Sequence, residues 1–234
     1  MTYPTEFYEP SNGIRPGMTA PASLAWRYPD PDAPLPVFLA VHPYPIPAQP
    51  NPRDRHWALC WEQGYALRPR AALALAEEDE DEDEEDVDGD GVDGEGEGLV
   101  GREREREPLR VPVARVLEVR REDGREHCTF WGPVTRCMPL ACALPRPAHP
   151  ALSLPASTNA HHHPNAGARF VPVARLTLAQ RRMLEKLAGA VRIMKPNGWW
   201  NGQNWVVEVL KAAAEQDLIT PEQRDTAILA AAEP

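Results

Sequence analysis

Cysteine is scarce in this 234-residue chain, and the four copies, Cys60, Cys128, Cys137 and Cys142, form no C-x-x-C pair and no regular spacing. A zinc ribbon or a disulfide framework is therefore not expected, and reduced thiols in a cytoplasmic or nuclear protein are the simplest expectation. No apolar run approaches the roughly 20 residues that a membrane-spanning helix needs. The opening Met1-Thr2-Tyr3-Pro4-Thr5-Glu6 has neither a basic stretch nor an apolar one, so no secretory signal is expected. Dense Lys/Arg patches are missing too, which disfavours nucleic acid as a partner, and Arg181, Arg182, Lys186 and Arg192 read as the solvated face of one helix. Nothing in the chain calls for a cofactor. Aromatic residues make up only 7%, so the material for a core is limited and the compact part should be shorter than the chain.

What the chain has in excess is proline and localised acid. The 27 prolines are about double the usual share, and residues 1–35, rich in Pro, Gly and Asp, are expected to form an extended or disordered arm. The formal net charge is -10, yet 15 of the 35 acidic residues fall between Glu77 and Glu97; the other 20 face 25 Lys and Arg, so the remainder is basic. Such a self-repelling, Gly-spaced block has little to bury and is expected to be a disordered insert over 77–107. Asp86, Asp88, Asp90 and Gly91, with Glu97 at the twelfth position, resemble a calcium loop, but no helices are expected to flank it, and calcium is set aside. A Pro- and His-rich loop is expected over 143–168. Its His161-His162-His163 run is not a metal site in this reading, since consecutive loop residues point in different directions. No metal is expected anywhere.

Between these segments the pattern is α+β over 36–234, a single domain interrupted by the two insertions. Strands are expected at about 37–41, 57–61, 65–68, 111–119 and 126–134. A hairpin turn through Glu62-Gln63-Gly64 would join the second to the third. Period two puts Trp57, Leu59 and Trp61 on a core face and His56, Ala58 and Cys60 on the other. Val111-Pro112-Val113-Ala114-Arg115 recurs as Val171-Pro172-Val173-Ala174-Arg175, too short to mark a repeat. Helices are expected over about 178–194, 202–216 and 221–231. Thr177 with Gln180 forms a capping-box signature for the first; the third starts at Thr220, with Pro221 at the first helical position and Gln223 available for another capping box. Trp205, Val206, Val209, Leu210 and Ala213 would form the buried stripe of the second.

Two short motifs carry the functional reading. Arg55-His56-Trp57-Ala58-Leu59 begins a strand, and Asn201-Gly202-Gln203-Asn204-Trp205-Val206 opens a helix 145 residues after His56. Their order and placement resemble permuted papain-like folds, the lecithin retinol acyltransferase-like and cell-wall peptidase-like families. There a strand carries His-Trp-Ala and a later helix opens Asn-Cys-Glu-His-Phe-Val, or Asn-Cys-Gln-x-Trp-Val in some relatives. The resemblance covers about a dozen residues. It implies a thiolate at a helix N-terminus, where backbone N–H groups and the helix dipole lower the thiol pKa, paired with an imidazole. This chain has Gly202 at the cysteine position, and Tyr65 to Arg68 offer no second histidine. Cys60, four residues from His56 along the strand, would lie about 13 Å away, beyond the reach of a base. The resemblance thus implies a vestigial site of His56, Asn201, Gly202 and Gln203 with no catalytic role, in a protein that is not an enzyme. Its groove between the His56 strand and the Asn201 helix would hold a peptide or an acyl chain. An interaction protein working through its acidic tract and Pro-rich segments is the alternative, and an active hydrolase with another nucleophile a third.

Overall fold

The computed structural model describes residues 5–42, 55–68, 108–121, 125–138 and 168–233. The expected acidic insert, Cys142 and the His161-His162-His163 loop lie outside the described residues. Contacts divide the chain into a body of residues 1–65 and 112–234 and a second unit, Ala66–Val111. Among the described residues the fold is α+β, with a five-stranded antiparallel sheet and three α-helices.

The sheet consists of β1 (Leu35–His42), β2 (His56–Arg68), β3 (Leu109–Glu118), β6 (Val134–Cys137) and β7 (Arg169–Leu176), in the order β6-β3-β2-β1-β7. A separate two-stranded ribbon pairs β4 (Arg120–Arg121) with β5 (Cys128–Thr129). The register of β1 on β2 sets Val41 opposite Trp57 and His42 opposite His56. Helices α1 (Leu178–Ala190), α2 (Gly202–Glu215) and α3 (Pro221–Ala232) follow, each opened by a complete capping box on Thr177, Asn201 or Thr220.

One sheet face and the helices share the main core, in which Trp57, Leu59, Trp61, Leu117 and Val119 meet Trp205, Val206, Val209 and Leu210. The opposite face is a smaller apolar set of Phe38, Ala40, Ala58, Cys60, Ala114, Val116 and Met138. The expected alternation along β2 is thus present, with the indoles on the helix side.

Four local expectations are corrected. The hairpin at Glu62-Gln63-Gly64 does not form: β2 runs unbroken from His56 to Arg68. Neighbours override the turn signal there, since Trp61 Nε1 donates to Asp30, Gln63 Oε1 accepts from Thr135, and Tyr28 covers Gly64. The strand expected over 126–134 is split into β5 and β6, because Gly132, with φ of 88°, and Pro133 interrupt the ladder. The first helix stops at Ala190 rather than 194, because the chain beyond it pairs with the N-terminal arm: Glu9 N donates to Ile193 O, Lys195 N donates to Phe7 O, and Tyr8 bridges Met194. Arg181 is not solvated but wholly buried. Its guanidinium donates to both oxygens of Asp30 and to the carbonyls of Pro31, Ala33 and Leu176.

Strand β7 was not expected from the sequence. Both copies of the Val-Pro-Val-Ala-Arg segment lie in strands, β3 and β7. In β7, Pro172 is tolerated because the strand is at the sheet edge and the register shifts between Val37 and Phe38 opposite it.

The N-terminal residues lie over the body with defined contacts. Left-handed Ser11, Asn12 and Gly13 form a tight turn whose carbonyls receive Phe130 N and the His127 ring.

Candidate functional site

Helix α2 begins where the sequence places it, and the reason is local. The Asn201 side chain accepts from Gln203 N at 3.0 Å and Asn204 N at 3.3 Å, while Asn204 Oδ1 accepts from Asn201 N at 3.0 Å. Three otherwise orphaned donors are satisfied this way. Just upstream, Asn197 Oδ1 accepts from Trp199 N and Trp200 N, and Gly198 takes φ of 78°, so the tryptophan pair is held by an Asn-nucleated turn.

Gly202 therefore occupies the first turn of a well-capped helix. A Cβ there would stand 3.1 Å from the Val119 carbonyl oxygen, so the close approach of helix to strand end favours glycine. Gln203 reaches the beginning of β2, its Nε2 donating to Arg55 O at 2.9 Å. Asn201, Gly202, Gln203 and the backbone before His56 are thus together at one end of the sheet.

The His56 ring is directed elsewhere. Its Nε2 lies 2.9 Å from Glu118 Oε2, and both side chains belong by alternation to the face of Ala58, Cys60, Ala114 and Val116, whereas α2 packs on the other face. Arg136 donates to the same carboxylate at 2.7 and 3.0 Å, Arg120 stands 3.8 Å away, and the His42 ring packs on His56 with centroids 5.5 Å apart. Burial pushes the Glu118 carboxyl pKa up, but the His56 hydrogen bond and the Arg136 and Arg120 charges outweigh it and bring it down to about 2. A charged residue at a buried strand position signals a partner, and Glu118 could have been flagged for that reason. Which of the many arginines answers it is not legible from spacing.

Among the described residues no thiol is shown to pair with this imidazole. Cys60 is fully buried four residues along the strand, about 13 Å away. Burial raises the pKa of Cys128 despite the Arg121 charge beside it, so it is a thiol rather than a thiolate near neutrality. Among the described residues no group of His, Cys, Asp and Glu is placed to hold a metal ion, and no helix is long and apolar enough to cross a membrane.

The concave surface lies along the turn that feeds α2 and the outer face of that helix. One hollow, of about 540 Å³, is lined by Tyr8, Met194, Trp199, Trp200, Val207 and Lys211 among others. A second, of about 200 Å³, shares Met194, Trp199 and Trp200 and continues to Asn201, Cys128 and Arg121. A third, of about 360 Å³, adjoins it through Glu126 and Pro196 and adds Arg15 and Arg125. Of the three tryptophans at this end of α2, Trp205 is fully buried against Phe130, Trp200 is half-buried, and Trp199 is 45% exposed. Core packing accounts for Trp205 and leaves Trp199 unaccounted for.

Comparison of the chain with protein-family models, with curated proteins and with solved structures finds no match.

Proposed function

We propose that this protein is a non-catalytic binding protein, a degenerate relative of the permuted papain-like hydrolases and acyltransferases, whose ligand lies at the N-terminal end of α2. The observation that carries this reading is the first turn of that helix. It keeps the asparagine cap and the close seat against a strand end, but has Gly202 where an attacking sulfur would stand. His56 is held by Glu118 on the other sheet face; this withdrawal of the imidazole from the helix terminus departs from the pairing that the resemblance implies, so the reading rests on the first turn of α2 alone. Removing a nucleophile costs orders of magnitude in turnover and leaves binding intact.

The ligand-holding surface is the chain of hollows around Trp199 and Trp200 rather than the gap between β2 and α2, which the Gln203 side chain bridges. A peptide or an acyl chain has the dimensions for such a groove, and an exposed indole at its middle supplies apolar area. The test is a titration of short peptides and of fatty acylglycines, followed by tryptophan emission. A saturable shift that Trp199→Ala removes supports the groove. Binding that persists unchanged in that variant places the ligand elsewhere.

A further inference from the structure

We infer that Asn197 is a covalent modification site: its side-chain amide is lost to the glycine that follows it, and the product rebuilds the turn that carries Trp199 and Trp200. No ligand of the groove is needed for this chemistry. The chain has three Asn-Gly pairs, Asn12-Gly13, Asn197-Gly198 and Asn201-Gly202. A glycine after asparagine leaves its backbone nitrogen unshielded by a Cβ, so that nitrogen can reach the side-chain carbon. The fold gives the three pairs different room to do so.

Asn12-Gly13 is clamped between neighbours. Gly13 is buried, a carbon added at it would meet Cys128 O at 2.2 Å, and the two carbonyls accept from Phe130 N and from the His127 ring. Asn201-Gly202 starts α2: the Asn201 side chain caps Gln203 N and Asn204 N, and a carbon added at Gly202 would stand 3.1 Å from Val119 O. Ring closure there requires the helix end to open. Asn197-Gly198, in contrast, is exposed, with nothing within 4 Å of the Gly198 Cβ position. Asn197 Oδ1 accepts from Trp199 N at 3.1 Å and from Trp200 N at 2.9 Å, which brings its side chain towards the peptide that follows. The same two donors polarise the amide carbonyl, as oxyanion donors do in acyl transfer.

The Gly198 nitrogen gives its proton to a base and attacks Asn197 Cγ. A carbon–nitrogen bond forms, the Nδ2 group takes up a proton and leaves as ammonia, and a five-membered succinimide remains. Water then adds to either ring carbonyl and breaks one ring carbon–nitrogen bond, giving Asp or its β-linked isomer at position 197. In the isomer the main chain runs through the former side chain, so an extra methylene precedes Gly198. The oxygen that held Trp199 N and Trp200 N becomes part of the peptide link. The turn loses its geometry, and the indoles shared by two of the hollows move with it.

The test keeps the full chain in warm, mildly alkaline buffer, with a guanidinium-unfolded sample beside it. Digests taken over time are separated by chromatography, which resolves the two isomers, and fragment mass spectra locate each conversion. In the folded protein Asn197 should convert first, with Asn12 and Asn201 at least about fivefold slower, while unfolding brings all three to similar rates. Tryptophan emission should change in step with the β-linked isomer. Asn197→Asp keeps an acceptor oxygen and should start with the emission of the original protein, and Asn197→Ser should hold its emission constant over the same time. Both variants alter an exposed side chain, and a thermal melt confirms that they fold.

Conversion of Asn12 or Asn201 in the folded protein at or above the rate of Asn197 overturns the assignment. An Asn197 that folding slows by about tenfold or more relative to the unfolded sample overturns it too, because the turn would then be protected. Accumulation of the β-linked isomer with unchanged emission overturns the rebuilding of the turn.

Discussion

Replacing Arg181 by methionine keeps most of the side-chain volume and removes a guanidinium that the fold has enclosed completely. Its contacts to Asp30 run from 2.7 to 3.1 Å and those to the carbonyls of Pro31, Ala33 and Leu176 from 2.6 to 2.8 Å, so every N–H-bearing nitrogen is used. Without it, the largely buried Asp30 carboxylate keeps the Trp61 indole as a donor, and three carbonyls lose one. Breaking one side of a buried pair costs about 3–5 kcal/mol, mostly from the charge left behind. With a urea slope of about 2 kcal/mol per molar, the unfolding midpoint should fall by about 2 M at unchanged slope. The double variant Arg181→Met with Asp30→Asn should lose clearly less than the two single variants added together, because the stranded charge is gone. A single-variant loss below about 1 kcal/mol would mean that the guanidinium is not enclosed as described, and the anchoring of residues 30–33 to α1 would have to be abandoned.

Three further outcomes follow from local geometry. Gly13→Ala should lower stability by more than about 2 kcal/mol in a thermal melt, since φ of 78° disfavours a side chain and its Cβ would meet Cys128 O at 2.2 Å. Glu118, with its pKa depressed to about 2, contributes stability that is present above the ordinary carboxylate pKa of 4.5 and is lost as pH falls from there towards 2. That loss should amount to about 3 kcal/mol, and Glu118→Gln should flatten the curve of stability against pH within this window. Asn201→Ala should cost about 1 kcal/mol by exposing the donors that its side chain caps, with Asn201→Asp close to neutral; urea unfolding of both variants distinguishes a cap from a ligand-contacting role.

What was legible in the sequence was local. The capping-box signatures at Thr177 and Thr220 are four-residue signals, and α1 and α3 start on them, while α2 starts at Asn201 as expected, on a cap with Asn204 that the structure reveals. The alternation of Trp57, Leu59 and Trp61 is likewise read from one strand alone. The errors came where a distant partner decided the outcome. Glu62-Gln63-Gly64 carries turn residues, yet Asp30 and Thr135 hold β2 straight. Arg181 sits on a helix rich in charge, and only the arrival of Asp30 from 151 residues away makes its burial favourable. The candidate site divides in the same way: Asn201 and Gln203 act through neighbours in sequence or through one backbone carbonyl, whereas the pairing of His56 with Glu118 and Arg136 depends on strand order, which no spacing encodes.

The most direct test of the central claim, that the first turn of α2 is a catalytic seat lacking its sulfur, is the thiol pKa of the Gly202→Cys variant, measured from the pH dependence of iodoacetamide alkylation with Cys60, Cys128, Cys137 and Cys142 replaced by serine or alanine. The helix N-terminus should bring that pKa about 1 unit below the ordinary 8.5, and no further, because the imidazole of His56 is committed to Glu118 on the other face. A folded variant whose thiol titrates at or above 8.5 would contradict the claim. A value several units lower would contradict the withdrawal of His56.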